Sequence, residues 1–227
     1  MTRGTDPFLR GEAMPAPETL RAWTAEARER TLGLIADLSD EHLLWLKLDI
    51  VNPLLWEIGH VAWFQERWVL REALGRPPLS ERFDALYDSS TVPHDSRWDL
   101  PLPGRADTLG YLARVRDAVL EALAADPAPA VLYHALYSVY HEDMHGEAFT
   151  WTRQTHGFQA PPTVSEGGAD RLPRRAAPAG DAEVPGGTHL LGGSRDEPFV
   201  FDNEKWEHPV EVAPFRMARR PVTQGEM

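Results

Sequence analysis

The chain has 227 residues, 42% of them hydrophobic, a formal charge of −12 and no cysteine. That length and apolar content allow one large domain, or one domain plus part of another; the acidic balance repels phosphate backbones, so no nucleic-acid partner is expected. The lack of cysteine excludes disulfides and thiolate metal sites and fits a reducing compartment, and neither an N-terminal apolar run nor a membrane-length apolar stretch is present in the sequence, so a cytoplasmic protein is expected.

Four stretches carry helical periodicity. The first runs from about Pro17 to Leu38, with Leu20, Trp23, Ala27, Thr31, Leu34, Ile35 and Leu38 recurring at three- and four-residue steps. The second is "NPLLWEIGHVAWFQERWVLREALG", where Asn52 suits the N-cap, Pro53 the first helical position and Gly75 the stop. A long stretch rich in proline and polar turns, "RPPLSERFDALYDSSTVPHDSRWDLPLPGR", then reads as an irregular crossover, of the kind that is either functional or disordered. Its aromatic residues favour packing. The third helix starts near Asp107 and carries Leu109, Leu112, Val115, Val119, Leu120 and Leu123; the fourth runs from about Pro129 to Thr155 and ends at Gly157. Four helices with one long crossover make a mainly α bundle, the type of fold that builds metal sites from side chains on facing helices.

Beyond Gly157 the composition shifts. Residues 158–183 are rich in Pro, Gly and Ala without apolar periodicity and read as a linker. Residues 184–227 give short strand-like runs, "THLLGG", "PFVF" and "HPVEVAPFRMAR", separated by turn residues. Too few residues remain there to bury a core, so this second unit is expected to be incomplete.

The fourth helix contains "HEDMHGEAF", a His-Glu-x-x-His string. Positions four apart lie on one helical face, so His141 and His145 can bind one metal ion. The plainer alternative is one core imidazole and one on the surface. His60, in the apolar "WEIGHVAWF", is the candidate third ligand, although a lone histidine in such a helix is ordinarily a satisfied core residue. His134 lies on the same stripe seven residues before His141 and is assigned a supporting role. Glu57 and Glu142 are expected to orient imidazoles by accepting from their second nitrogen. A zinc peptidase would use Glu142 as base and needs a third ligand downstream; residues past Gly157 offer a Pro/Gly-rich stretch instead, which weighs against that reading. In the crossover, His94 and Arg97 are candidate substrate-binding residues within reach of the metal pocket. Most of the aromatic set Trp56, Trp63, Phe64 and Trp68 is expected to pack in the core.

Three segments together, "NPLLWEIGHVAWFQE", "HEDMHGEAF" and "VPGGTHLLGGSRDEPFVFDNEKWEHPVEVAPFRMARRPVTQGEM", resemble the ergothioneine-type sulfoxide synthases and the related selenoneine synthases. The resemblance implies a DinB-like four-helix domain over residues 1–157, a linker over 158–183, and the opening part of a mixed α/β, formylglycine-generating-enzyme-like (sulfatase-modifying) domain over 184–227. It implies that His60, His141 and His145 hold a non-haem Fe(II). The implied reaction joins sulfur, or selenium from a selenosugar, to the imidazole carbon of hercynine using O₂. It further implies that the catalytic residues of the second domain lie outside this chain, so that turnover by the 227 residues alone is not expected. Two departures stand out. The stretch "STVPHDSRWDLPLPGR" of the crossover carries only Arg97 and Arg105 where the members that use γ-glutamylcysteine have an arginine-rich stretch, which suits a neutral donor. Gly146 follows His145 where the family has Gln, and "HEDMHGEAFTWTRQ" is closer to the selenoneine branch. The alternative from another class is a DinB-like Zn- or Ni-dependent thiol transferase or hydrolase built on the same three histidines.

Overall fold

The computed structural model describes residues 13–162 and 178–227. The expected linker therefore falls largely, at 163–177, outside the described residues, as do residues 1–12. The protein is mainly α. Two compact units are distinguished, a helical one that contains residues 14–162 and a second one that contains residues 178–227.

In the helical unit, α1 spans Pro17–Ile35, α2 Asp40–Leu43, α3 Leu54–Gln65, α4 Phe83–Tyr87, α5 Arg105–Ala124 and α6 Pro129–Thr155. Pro17 and Pro129 occupy first-turn positions, where the missing N–H costs nothing. Gly75 and Gly157, past the ends of the second and fourth long helices, take the left-handed conformation that lets the chain turn off the axis. The long helices α1, α3, α5 and α6 pack on one another through the apolar stripes read from the sequence. Leu20, Ala27, Ile35, Ile58, Val61, Leu112, Val115, Val119, Leu136 and Phe149 are buried. The crossover is not wholly irregular, since it contains α4 and a 3₁₀ turn at His94–Ser96.

Two features of α3 depart from the sequence expectation. Asn52 does not cap α3: the helix starts at Leu54 with Pro53 in the cap position and no side-chain cap bond. The Asn52 amide is engaged elsewhere, by Glu57 and Arg97. Beyond Gln65, α3 widens into a π-helix over Glu66–Ala73. That segment is anchored by polar bonds. Arg71 grips Asp84 of α4 at 2.6 and 2.9 Å, and Trp63 Nε1 donates to the same carboxylate at 2.7 Å. The Arg71 guanidinium holds the Asp84 carboxyl down to about 2. Buried Glu66 accepts from the Tyr111 hydroxyl of α5 and from the Leu79 N–H.

α1 and α6 are joined by a buried ion pair. Arg28, 1% exposed, donates from Nε to Glu142 Oε1 at 2.8 Å and from Nη2 to Oε2 at 3.2 Å. Its remaining donors reach the Leu112 carbonyl at 2.6 Å and Gln65 at 3.0 Å, and Thr31 adds a bond to Glu142 at 2.9 Å. Further along, Arg153 of α6 clamps Asp37 at 2.9 and 2.7 Å.

In residues 178–227, β1 (Asp181–Val184) pairs antiparallel with β4 (Phe215–Ala218), and β2 (Gly187–Leu191) with β3 (His208–Val212). A 3₁₀ turn at Asp202–Glu204 separates β2 from β3, and no α-helix occurs among the described residues of this unit. Val200 is its one buried residue among those described. No helix among the described residues is long and apolar enough to cross a membrane.

Gly59 sits where α3 meets α4. A Cβ there would lie 2.3–2.5 Å from the Tyr87 ring, which is fully buried. Gly59→Ala should therefore destabilise the protein by about 1–3 kcal/mol through overpacking, measured as a lowered midpoint in urea. Arg28→Ala should cost more, about 3–5 kcal/mol, because it strands the Glu142 carboxylate in the interior; the same denaturation series checks it, and an unchanged midpoint would rule out the ion pair as a major tie.

Candidate metal centre

α3 and α6 bring three imidazoles to one point. His60, His141 and His145 each offer a nitrogen within 4.8 Å of the others. The Nε2 atoms of His60 and His141 are 3.2 Å apart. His60 is 4% exposed and forms the closed end of the group, while His141 and His145 keep part of their ring surface in reach of solvent.

Each ring is oriented by its surroundings. His60 Nδ1 donates to the Tyr87 carbonyl at 2.7 Å. A carbonyl only accepts, so the proton is on Nδ1 and the Nε2 lone pair faces the other histidines. Trp56 stacks on His60 with centroids 4.7 Å apart and planes 9° apart; Phe64 stacks on His141 at 3.6 Å and 4°. Residues 56, 60 and 64 are spaced four apart on α3, which places the two aromatic rings one turn either side of His60. His145 Nδ1 lies 3.9 Å from Glu57 Oε1, and neither His145 Nδ1 nor Glu57 Oε2 has a hydrogen-bond partner.

The electrostatics keep His60 and His141 neutral. Burial lowers the His60 pKa to about 3, and the neighbouring His145 pushes the same way against the Tyr87 bond. Burial also drives His141 well below its ordinary value, with His145 and His60 adding to the effect. Neutral imidazoles are the form that ligates metal. A cluster of three, with no carboxylate or thiolate among them, suits a borderline divalent ion such as Fe(II), Zn(II), Ni(II) or Cu(II). The fit is supported by the two orphaned buried atoms beside His145, which a bare imidazole cluster leaves without a role.

The other candidate residues are placed as follows. Glu57 is buried beside His145. Glu142 is turned toward α1, with Arg28 and Thr31 on its carboxylate. That position is unlike a peptidase base, which must address a metal-bound water. His134 stacks on Trp68 at 5.5 Å, about two helical turns or 10 Å along α6 from His141. His94 Nε2 bonds the Val51 carbonyl at 2.6 Å. Arg97 lies over the Trp56 ring at 3.9 Å and donates to Asn52 and to the Val92 carbonyl. Trp56 and Trp63 are buried, whereas Phe64 and Trp68 are half-buried. Sequence reasoning did not single out Tyr87, whose backbone carbonyl meets His60, and read Asn52 only as a helix cap, whereas its amide bridges Arg97 and Glu57. Arg28 was also passed over, although an arginine among Thr24, Ala27, Thr31 and Ile35 on a core-facing stripe is a signal of a buried partner.

The sequence comparisons agree with this architecture. The chain is 33% identical over 216 residues to the hercynine oxygenase of Mycolicibacterium smegmatis, covering 94% of this chain and 50% of that protein. It is 35% identical over 222 residues to the hercynine oxygenase of Mycolicibacterium thermoresistibile, covering 96% and 49%. It is 35% identical over 216 residues to that of Mycobacterium tuberculosis, covering 94% and 50%. The chain thus spans about half the length of the curated relatives it matches. The family model of the DinB superfamily matches residues 24–149, which hold α3, α5 and most of α1 and α6 with all three histidines, and the chain belongs to that superfamily.

Proposed function

We propose that this chain carries the iron centre of an O₂-dependent oxidoreductase that forms a C–S or C–Se bond on the imidazole of hercynine. The observation that carries the reading is the convergence of His60, His141 and His145 in a chain whose relatives are named hercynine oxygenases. In this reading the three imidazoles hold Fe(II) through neutral nitrogens, which leaves coordination positions open for small ligands. The iron would supply the one-electron and oxygen chemistry. The protein's own part is to fix the rings: the Tyr87 carbonyl sets the His60 tautomer, Trp56 and Phe64 fix two ring planes, and α3 closes the inner side. Residues 184–227 are proposed to open a formylglycine-generating-enzyme-like domain, with 1–157 as the metal domain; the linker proposed over 158–183 ends by Gly180, because β1 starts at Asp181.

The donor is proposed to be a neutral selenosugar, or a thiol with few carboxylates. Both arginines of residues 90–105 have internal partners: Arg97 is held by Asn52, Val92 and Trp56, and Arg105 donates to the carbonyls of Leu38 and Ile35. Arginines so engaged are poorly placed to grip donor carboxylates. His94 and Arg97 then border the pocket, and His134 and Glu142 brace α6.

The second reading, a Zn- or Ni-dependent thiol transferase or hydrolase, uses the same ligands and is separated by experiment. Anaerobic Fe(II) titration of the purified chain should give one site, and hercynine should perturb its spectrum; tight Zn(II) or Ni(II) binding with no response to hercynine would favour the transferase. His60→Ala should abolish stoichiometric binding, checked by metal analysis after gel filtration; retained metal would exclude the site.

The metal-free protein should also be acid-labile. Above about 6.5, the ordinary histidine value, neither folded nor unfolded His60 carries a proton. Between there and about 3 the unfolded chain takes up a proton that the folded one refuses, so stability falls as pH drops. Urea midpoints measured from pH 7 to pH 4 should decline in the wild type and decline less in His60→Ala.

A further inference from the structure

Asn52 stands at the start of α3 yet serves none of its N–H groups. Its side chain instead bridges two charged residues. Arg97 Nη1 donates to Asn52 Oδ1 at 2.7 Å, and Asn52 Nδ2 donates to Glu57 Oε1 at 2.9 Å. The amide orientation is dictated by its neighbours, because a guanidinium only donates and a carboxylate only accepts. Arg97 is itself fixed by its seat over Trp56, the ring that stacks on His60. Glu57 is 1% exposed, and its Oε1 lies 3.9 Å from His145 Nδ1. Two shielded polar atoms, His145 Nδ1 and Glu57 Oε2, have no partner. Buried groups left in that state are costly, and they mark a contact that a small ring rotation completes.

Resting on the metal-centre reading above, we propose that Asn52 is a positioning residue for the metal site. It holds the Glu57 carboxylate where that group accepts the His145 Nδ1–H, which leaves Nε2 as the ligating nitrogen. Arg97, from the crossover, holds Asn52. The crossover is thereby coupled to the centre on two sides: through Asn52 and Glu57 to His145, and through Trp56 to His60. A carboxylate accepting from a ligating imidazole fixes the ring and raises its basicity. Asn52 acts through Glu57 and touches no ligand itself.

The test uses Co(II) as probe on the 227-residue chain, with wild type, Asn52→Ala, Glu57→Gln and the double variant compared. Asn52→Ala is expected to weaken Co(II) binding about 10- to 100-fold and to shift the visible ligand-field bands of the bound ion. The double variant is expected to bind no more weakly than Glu57→Gln alone, because the two act in series. The unfolding midpoint of each metal-free variant is measured alongside, and a loss of stability without any change in affinity or spectrum overturns the proposal. So does an Asn52→Ala effect that adds in full to that of Glu57→Gln. Should Asn52→Ala fail to fold, Asn52→Asp keeps the volume and sets an oxygen against Glu57; wild-type affinity and bands there also overturn the proposal. A wild-type chain that binds neither Co(II) nor Fe(II) removes the metal-centre reading and this inference together, whereas wild-type binding with an insensitive Asn52 removes the inference alone.

Discussion

The Arg28–Glu142 ion pair is the constraint on which the site depends. Glu142 follows His141 by one residue, which on a helix is about 100° of rotation. With its carboxylate locked onto α1 by Arg28 and Thr31, α6 can present His141 and His145 only toward α3. Both charges lie almost fully inside, so neither can be satisfied by water if the helix turns. One glutamate therefore sets the rotation of the helix that carries two of the three imidazoles. The His-Glu-x-x-His string here joins two of the clustered imidazoles to a register lock, and its glutamate faces α1.

The α3 side is fixed by different means. Gly59 lets the Tyr87 ring approach where any side chain would collide, and the Tyr87 carbonyl then meets His60 Nδ1. Close packing thus has an electrostatic outcome, since it decides which imidazole nitrogen carries the proton. The burial that keeps His60 and His141 uncharged also leaves their lone pairs in a medium with few competing donors.

Much of this was legible in the sequence. Apolar steps of three and four gave the bounds of α6 to the residue and the end of α1 and the start of α5 to within three residues, because the stripes are long and flanked by Pro or Gly. The histidine pair was legible because helical spacing alone puts positions 141 and 145 together. His60 needed a second helix and was supported by its apolar neighbours. The widening of α3 after Gln65 was not legible, since Arg71–Asp84 and Glu66–Tyr111 are long-range bonds that leave no local pattern. The cap assignment of Asn52 failed because propensity cannot foresee a carboxylate five residues on and a guanidinium from the crossover competing for the same amide. Three of the four C-terminal strands were suggested by short apolar runs; β1 falls mostly in the stretch read as a linker, the run "PFVF" forms no strand, and the pairing, first with fourth and second with third, is a non-local choice.

The stack of Arg97, Trp56 and His60 has an optical consequence. An indole lies face to face with the innermost imidazole, and Trp63 also stacks near it, with centroids 5.9 Å apart. A paramagnetic ion held by that imidazole would sit within quenching range of both indoles. Two of the chain's eight tryptophans would then report occupancy of the cluster by intrinsic fluorescence, without a dye or a label.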